Sequence, residues 1–397
     1  MNTELVDRVR LRLAGSGSTP DTAAVAAAVR AEAGSAISHD DMLEILRTLR
    51  DEFVGVGLLE PLLADPATTD VLVTGPGEVW VDGRDGLRRT ELAFTDEEAV
   101  RRLAQRLAQV AGRRLDDAQP YVDGWLPGSG PHARIRLHAV LPPVAADGTC
   151  LSLRILRPAT HDLSALRRLG TFDAEGEALL RAVITARLAF LITGSTGAGK
   201  STLLAAMLGE VSPAERIVCV EDAGELQPSH PQFVRLIARP PNVEGAGEVT
   251  LRELVRQALR MRPDRLVVGE VRGREVCELL NALNTGHDGG ACTLHANSPA
   301  EVPARLEALA SLGGLPRGAL QSQFAAAVQI VLHMRRGPGG LRRLDEIGVV
   351  HRGTAGTAVA TVWRAGHWTS RKALLTSLFK ARGVELFVDA FEEPAPW

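Results

Sequence analysis

The chain is predicted to be an α/β protein built around a mostly parallel sheet with helices on both faces. Between residues 173 and 335, short apolar strands alternate with helical stretches, a pattern typical of parallel sheets. Within this region a Gly-rich loop at 194–201 follows the apolar strand 188–193 and precedes the helical run 202–208. Residues 53–160 instead carry alternating strands and one amphipathic helix, which predicts a separate α+β domain.

The 397 residues are enough for two or three domains with substantial cores. The patterns predict a helical appendage at 1–52, the α+β domain at 53–160, a linker at 161–172, the parallel α/β domain at 173–345 and a strand-containing tail at 346–397. No chemistry is assigned to the tail.

Composition excludes several classes of protein. The formal net charge is −3 and aromatic residues make up 4%, which argues against a nucleic-acid-coating protein. Four cysteines without CxxC spacing argue against a disulfide framework or a zinc site and favour a reducing compartment. No stretch is apolar enough to predict a membrane span, and the charged residues 1–15 lack the apolar core of a signal peptide. We therefore expect a cytoplasmic protein.

The α+β domain is predicted to contain a hairpin and a sheet with one basic face. Two apolar strands at 71–73 and 79–81 flank a Gly-Pro-Gly turn. Apolar and polar residues alternate from 133 to 141, which places Arg134, Arg136 and His138 on one face, and Arg154 has the same setting in the next strand. The residues alone leave open whether this face is solvated or meets a phosphate.

The loop between the apolar strand and the following helix has the composition of a phosphate-binding loop. Its residues are Gly194, Ser195, Thr196, Gly197, Ala198, Gly199, Lys200, Ser201 and Thr202. Glycines allow backbone N–H groups to turn toward a phosphate, and the helix N-terminus adds partial positive charge. Lys200 is predicted to reach the β- and γ-phosphates, and the Ser201 hydroxyl to bind Mg²⁺. The motif therefore predicts a nucleoside triphosphate as ligand.

Acidic residues end two further strands of the same predicted sheet. One strand, 216–220, is followed by Glu221 and Asp222, and the other ends in Gly269 and Glu270. Because the carboxyl ends of parallel strands share one edge, these groups are expected near the loop. Gly269 occupies the position where an aspartate is usual, so Glu270 is the predicted ligand of the metal or the attacking water. Glu221 is the second candidate.

Histidines and arginines supply further candidates. His287 and His295 lie within one glycine-rich segment of nine residues. His295 follows a short strand, where a γ-phosphate sensor would lie. At least one of the two is predicted to be functional. Arg235 and Arg239 are expected to bind phosphate within the chain or to reach a neighbouring subunit.

Taken together, these motifs resemble the secretion-ATPase superfamily, and most of all the tight-adherence (Flp-type) pilus assembly and secretion ATPases. The resemblance rests on GSTGAGKST, VCVEDAGEL, RPPNVEGAGEVTLRELVRQALRMRPDRLVVGEVRG and ALNTGHDGGACTLHANSP. It is dense from 185 to 310 and looser from 55 to 160, where ARIRLHAVLPP and LSLRILRP carry it. The first and last 50 residues are not covered.

The resemblance implies a RecA-like P-loop domain that hydrolyses ATP with Mg²⁺ in a homohexameric ring on the inner face of the cell membrane. It implies partners among inner-membrane platform proteins and ATP bound between the two domains. Glu221 and Asp222 would belong to the aspartate box, Glu270 to the Walker B element, and His287 and His295 to the histidine box. Arg136 and Arg154 match the arginines that approach the phosphates. A Gly/Pro-rich departure at 124–131 leaves the choice between Arg134 and Arg136 open.

Three alternatives stay open at this point. The first is a type IV secretion or conjugation ATPase of the same superfamily. The second, a nucleic-acid translocase, is disfavoured by the few aromatic residues and the negative net charge. The third, a scaffold that binds nucleotide without turnover, is disfavoured by the presence of Lys200, Glu221 and Glu270 together.

Overall fold

The computed structural model describes residues 22–33, 55–83, 86–126, 134–156, 161–239, 245–353 and 356–385, with positions 8, 9, 12, 45, 46, 49 and 241. The chain divides into two compact units, 1–157 and 158–397, and each is considered by itself. Most of the predicted appendage lies outside the described residues. Its described part contains helix α1, Thr22–Ala33, whose Val25 and Val29 are buried.

The first unit contains an antiparallel sheet with the strand order β3-β2-β1-β6-β5-β4. Its strands are β1 Thr68–Gly75, β2 Glu78–Gly83, β3 Arg88–Arg89, β4 Tyr121–Leu126, β5 Arg134–Val140 and β6 Cys150–Leu156. The predicted hairpin is confirmed, since Val73 pairs with Val79 across the turn between β1 and β2. The predicted alternation in β5 is also confirmed, because Ile135, Leu137 and Ala139 are buried and the residues between them are not.

Helices α2, Glu60–Ala64, and α3, Glu97–Val110, complete the core of this unit. The Asp96 side chain caps α3 by accepting a hydrogen bond of 2.7 Å from the backbone N–H of Ala99. Val100, Leu103 and Leu107 follow at helical spacing and are buried. The amphipathic pattern therefore sets which face of α3 joins the core of the sheet.

In the described part of the second unit, the sheet has the strand order β15-β14-β13-β12-β7-β11-β10-β8-β9. The strands from β12 to β9 in this order run parallel, and β13, β14 and β15 join β12 in antiparallel fashion. The strands are β7 Phe190–Thr193, β8 Ile217–Glu221, β9 Phe233–Ile237, β10 Arg265–Val271, β11 Ala291–Leu294, β12 Ile330–Arg336, β13 Arg342–Gly353, β14 Gly356–Arg364 and β15 His367–Trp368.

Helices cover both faces of this sheet, as the alternation of strands and helices predicts. They are α4 Leu163–Arg168, α5 Ala174–Thr185, α6 Lys200–Gly209, α7 Leu251–Ala258, α8 Val276–Leu283, α9 Val302–Leu312, α10 Arg317–Ala327 and α11 Lys372–Ala381. Strand β7 shows why two cores form. Phe190 and Ile192 pack in the cluster that includes α4, α5, α6 and α11, while Leu191 packs in the cluster that includes α7 to α10.

Two segments differ from their sequence description. Residues 161–172, expected as a linker, contain α4, whose Leu163 and Leu166 are buried in the core of the second unit. The tail after 345 continues the same sheet through β13, β14 and β15. The Trp368 indole donates a hydrogen bond of 2.7 Å to the Glu175 carboxylate on α5. The sequence patterns set these segments apart from the α/β domain because the residues that they pack against are distant in sequence.

No helix within the described ranges is long and apolar enough to cross a membrane.

The C-terminal helix is predicted to be an integral part of the second unit. Phe379 on α11 is 1% exposed, whereas Leu374 on the same helix is 38% exposed. We expect Phe379→Ala to lower the free energy of unfolding by about 4 kcal/mol, because it leaves a cavity in the core. Leu374→Ala is the matched control and should change it by less than about 0.5 kcal/mol. Urea unfolding curves measure both values, and equal effects would contradict the assignment.

Candidate functional site

The glycines of the predicted phosphate-binding loop have the backbone conformation that such a loop needs. Gly194, Gly197 and Gly199 have φ values of 143°, 71° and 92°. A Cβ atom at Gly194 would lie 2.3 Å from the carbonyl oxygen of Met334 on β12. Glycine is therefore required at Gly194 both by the backbone angle and by the close approach of the neighbouring strand.

Lys200 begins helix α6 and turns back into the loop. Its Nζ donates hydrogen bonds of 3.1 Å and 3.0 Å to the carbonyl oxygens of Gly194 and Ser195. The residue is buried, and burial lowers the pKa of its ammonium group although the nearby Glu270 carboxylate acts in the opposite direction. Ser201 and Thr202 are half-buried in the first turn of α6.

Glu270 lies near the end of β10, with His295 on one side of its carboxylate and Arg272 on the other. Its Oε1 is 2.7 Å from His295 Nε2, and its Oε2 accepts a hydrogen bond of 2.6 Å from Arg272 Nη2. Burial acts to raise the pKa of Glu270, but the hydrogen bond and charge of Arg272, with Lys200 and His295, lower it below its usual value. The carboxylate is therefore ionised at neutral pH.

His295 joins Lys200 to Glu270. Its Nδ1 lies 3.4 Å from Lys200 Nζ while its Nε2 faces the carboxylate. Burial and the neighbouring Lys200 lower the pKa of the imidazole, so it is neutral at neutral pH. Because the ammonium can only donate, Nδ1 is the acceptor toward it, and the proton of the neutral ring is assigned to Nε2. A continuous polar chain runs from Lys200 through His295 to Glu270 and Arg272.

Glu221 ends β8 on the neighbouring strand and has a different environment. It is 4% exposed, and its Oε1 accepts hydrogen bonds of 2.9 Å and 3.0 Å from the N–H groups of Glu225 and Leu226. Burial raises the pKa of Glu221 to about 7 despite these hydrogen bonds. A Cβ atom at Gly269 would lie 2.7 Å from Glu221 Cγ. This contact explains why glycine stands where an aspartate is usual.

The other candidate residues of the second unit contact nearby backbone carbonyl groups. His287 Nδ1 lies 3.1 Å from the Ala282 carbonyl oxygen at the end of α8. Arg239 donates a hydrogen bond of 2.7 Å to the Gly247 carbonyl oxygen. Arg235 donates to the Leu226 carbonyl oxygen at 3.4 Å, and its charge acts to lower the pKa of Glu221.

In the first unit, two arginines of the predicted basic face, Arg136 and Arg154, are paired with carboxylates. Arg136 makes two hydrogen bonds of 2.9 Å to the two oxygens of Asp123 on β4. Arg154 donates one of 2.8 Å to Asp70, which lies directly opposite it on β1. The face predicted as basic is therefore an alternation of arginines and aspartates, which only the strand register brings together.

Two contacts at the site have no counterpart in the sequence-based prediction. Arg272 follows Glu270 by two residues, and strand alternation could have placed both on one side. Arg342 donates a hydrogen bond of 2.9 Å to the Gly197 carbonyl oxygen from a position 145 residues away. No local pattern predicts that contact, because it depends on the order of strands in the sheet.

A parallel sheet whose central strand leads through a Gly-rich loop into a helix, with carboxylates at the ends of adjacent strands, defines a P-loop protein. The family described as Type II/IV secretion system protein matches residues 52–345, and the chain belongs to that family. The predicted membership of the secretion-ATPase superfamily is thereby confirmed.

Individual relatives agree with this assignment. The chain is 63% identical over 348 residues to a putative conjugal transfer protein of Mycobacterium tuberculosis H37Rv, which covers 87% of this chain and 99% of the relative. It is 32% identical over 319 residues to the type IV secretion system protein PtlH of Bordetella pertussis, covering 73% of this chain and 92% of PtlH.

Among solved structures, the pilus retraction motor PilT with bound ADP is similar with a TM-score of 0.52. The match covers 81% of this chain and 86% of PilT at 19% identity. At that identity the likeness concerns the fold, and it agrees with the predicted α/β architecture.

Glu221 should make stability depend on pH. The folded protein retains the Glu221 proton up to about pH 7, whereas an unperturbed carboxyl loses it near 4.5. The folded state binds more protons in that window, so this group makes stability fall as pH rises through it. As pH rises from about 4 to about 8, we expect the free energy of unfolding of Glu221→Gln to increase by about 3 kcal/mol relative to that of wild type.

Urea unfolding of both proteins across this range tests the expectation. Stability curves that run parallel from acid to alkaline pH would show that Glu221 titrates normally.

Proposed function

We propose that this chain is an ATP-hydrolysing motor that energises a type II/IV secretion or pilus machine. The observation that carries the proposal is the polar chain from Lys200 through His295 to Glu270, located at a glycine-rich phosphate-binding loop. A loop with only a structural role has no use for a buried ammonium connected to an ionised carboxylate. Family membership supports the same activity.

Lys200, the backbone N–H groups of 194–202 and the N-terminus of α6 hold the triphosphate in this proposal. The ammonium of Lys200 exchanges its bonds to the carbonyl groups of Gly194 and Ser195 for phosphate oxygens. Burial of Lys200 strengthens this attraction, because the surrounding dielectric is lower than that of water.

The oxygen donors at the site fit Mg²⁺. Ser201 lies in the first turn of α6, and the Glu270 carboxylate is ionised. Hydroxyl and carboxylate oxygens are both ligand types that Mg²⁺ prefers. Among the described residues, no group of three or more His, Cys, Asp or Glu side chains could hold a metal ion. Ser201 and Glu270 would therefore share the ion with the triphosphate and water, and its charge would stabilise the negative charge that develops on the phosphates.

Glu270 is the proposed acceptor that orients the attacking water. Its pKa below the usual value keeps it ionised, and Arg272 and His295 fix the direction of the carboxylate. Glu221 is the second candidate, because a pKa of about 7 suits a group that takes up a proton. His295 touches both Lys200 and Glu270, so loss of the γ-phosphate would reach it directly.

The remaining candidates are proposed phosphate contacts or sensors. They are Arg136, Arg154, Arg235, Arg239 and His287. The guanidinium groups of Arg136 and Arg154 are suited to phosphate oxygens. They would release Asp123 and Asp70 and bind the phosphates instead. The family resemblance supports this role. It also supports a homohexameric ring in which neighbouring subunits hydrolyse ATP in turn.

The proposed task is assembly of Flp-type pili, supported by the sequence resemblance to tight-adherence ATPases. Type IV secretion or conjugation is the second candidate, supported by the conjugal-transfer and type IV secretion names of the relatives. In either case the ring would act in the cytoplasm against inner-membrane platform proteins. A deletion strain separates the two tasks. Loss of surface pili with normal DNA and protein export supports the first, and the reverse result supports the second.

Removing the loop's ammonium should abolish turnover. We expect Lys200→Ala to lower the ATPase rate by at least about 100-fold, since the phosphates lose a preorganised charged donor. Phosphate release measures the rate. Lys380→Ala changes an exposed lysine on α11 and is the matched control. Wild-type turnover in Lys200→Ala would remove the role assigned to the loop.

Neutralising Glu270 should separate binding from hydrolysis. We expect Glu270→Gln to retain ATP binding while hydrolysis falls by about 100-fold or more, because the water loses its acceptor. Nucleotide binding and phosphate release are measured on the same preparation, with the exposed Glu98→Gln as control. A near-normal rate in Glu270→Gln would transfer the catalytic role to Glu221.

A further inference from the structure

The hairpin between β12 and β13 lies against the phosphate-binding loop. Strand β12 pairs in parallel with β7, so its carboxyl end reaches the edge of the sheet where the loop begins. Arg342 Nε donates to the Gly197 carbonyl oxygen, and a Cβ atom at Gly199 would lie 3.1 Å from Arg342 Cδ. A Cβ atom at Gly197 would lie 3.7 Å from Arg336 Nη1. Both arginines therefore reach the glycine-rich part of the loop.

These two arginines face each other across the hairpin. Arg336 and Arg342 are directly opposite in the strand register, an arrangement in which like charges repel. The adjacent Arg335 lies 3.9 Å from Asp345. Across the described ranges, by contrast, neither Arg336 nor Arg342 forms an ion pair with a carboxylate, although both are exposed. An anionic ligand would relieve this repulsion.

The position of the pair identifies the anion. The loop it touches already offers backbone N–H groups, a helix N-terminus and Lys200 to phosphate oxygens. The hydrogen bond from Arg342 holds the Gly197 carbonyl toward the hairpin. Planar guanidinium groups bind phosphate oxygens in a forked geometry.

We propose that Arg336 and Arg342 bind the phosphates of the nucleotide from the β12–β13 hairpin of the same subunit. The inference rests on the proposed function, since it concerns the ligand of the same loop. It adds two exposed arginines beside the loop to the phosphate contacts proposed above. Arg136 and Arg154 must leave aspartates before they bind phosphate, whereas no carboxylate of the described residues forms an ion pair with Arg336 or Arg342.

The experiment compares Arg336→Gln, Arg342→Gln and Arg343→Gln in the full chain. Arg343 is the matched control, because it is an exposed arginine on the same hairpin that pairs in register with Arg335. Affinities are measured for MgATP with a fluorescent analogue and for inorganic tripolyphosphate by competition. We expect Arg336→Gln and Arg342→Gln each to weaken both ligands by about tenfold, and Arg343→Gln by less than about twofold.

Tripolyphosphate separates phosphate binding from other roles. If wild-type protein binds MgATP and both variants retain their affinity for tripolyphosphate, the inference is overturned and the proposed function stands. If wild-type protein binds no nucleotide, the proposed function fails first. If Arg342→Gln unfolds, Arg342→Lys takes its place in the experiment. It keeps the positive charge but lacks the planar guanidinium group. A folded Arg342→Lys should lose less than the roughly tenfold affinity for tripolyphosphate expected of the glutamine change, and a full loss of about tenfold would show that Arg342 only holds Gly197.

Discussion

The buried positive charge of Lys200 is the constraint on which the site depends. A buried ammonium is costly unless carbonyl oxygens and a counter-charge surround it. Gly194 and Ser195 supply the carbonyl groups, and Glu270 supplies the counter-charge through the neutral ring of His295. The positive-φ glycine conformations, the strand order and the packing of β12 together bring these groups to one edge of the sheet.

The two carboxylates of the site differ because their surroundings differ. Glu270 faces Arg272 and His295, and the charges of Arg272 and Lys200 keep it ionised despite burial. Glu221, one strand away, has backbone N–H donors but little charge compensation, so burial raises its pKa to about 7. Gly269 leaves the space that allows Glu221 to lie against β10. Opposite shifts on adjacent strands are the usual sign that two acids have separate chemical tasks.

Two pairs of arginines proposed to contact the phosphates differ in their partners. Arg136 and Arg154, on the sheet of the first unit, are paired with aspartates on neighbouring strands, so their charge is balanced within that unit. Arg336 and Arg342, on the β12–β13 hairpin, are opposite each other beside the phosphate-binding loop. Residue type alone does not separate the groups, because the partner of each side chain is set by strand register.

The sequence by itself determined the fold class, the loop at 194–201 and the carboxylates at the ends of β8 and β10, since each is a local pattern with one dominant explanation. It also identified His295 from its position after a short strand. Only the tertiary structure decided that α4 and the strands after 345 belong to the core, that Gly269 makes room for Glu221, and that Arg342 contacts Gly197. Those facts depend on which strands become neighbours, and the free energy of packing distant segments together leaves no mark in a local pattern.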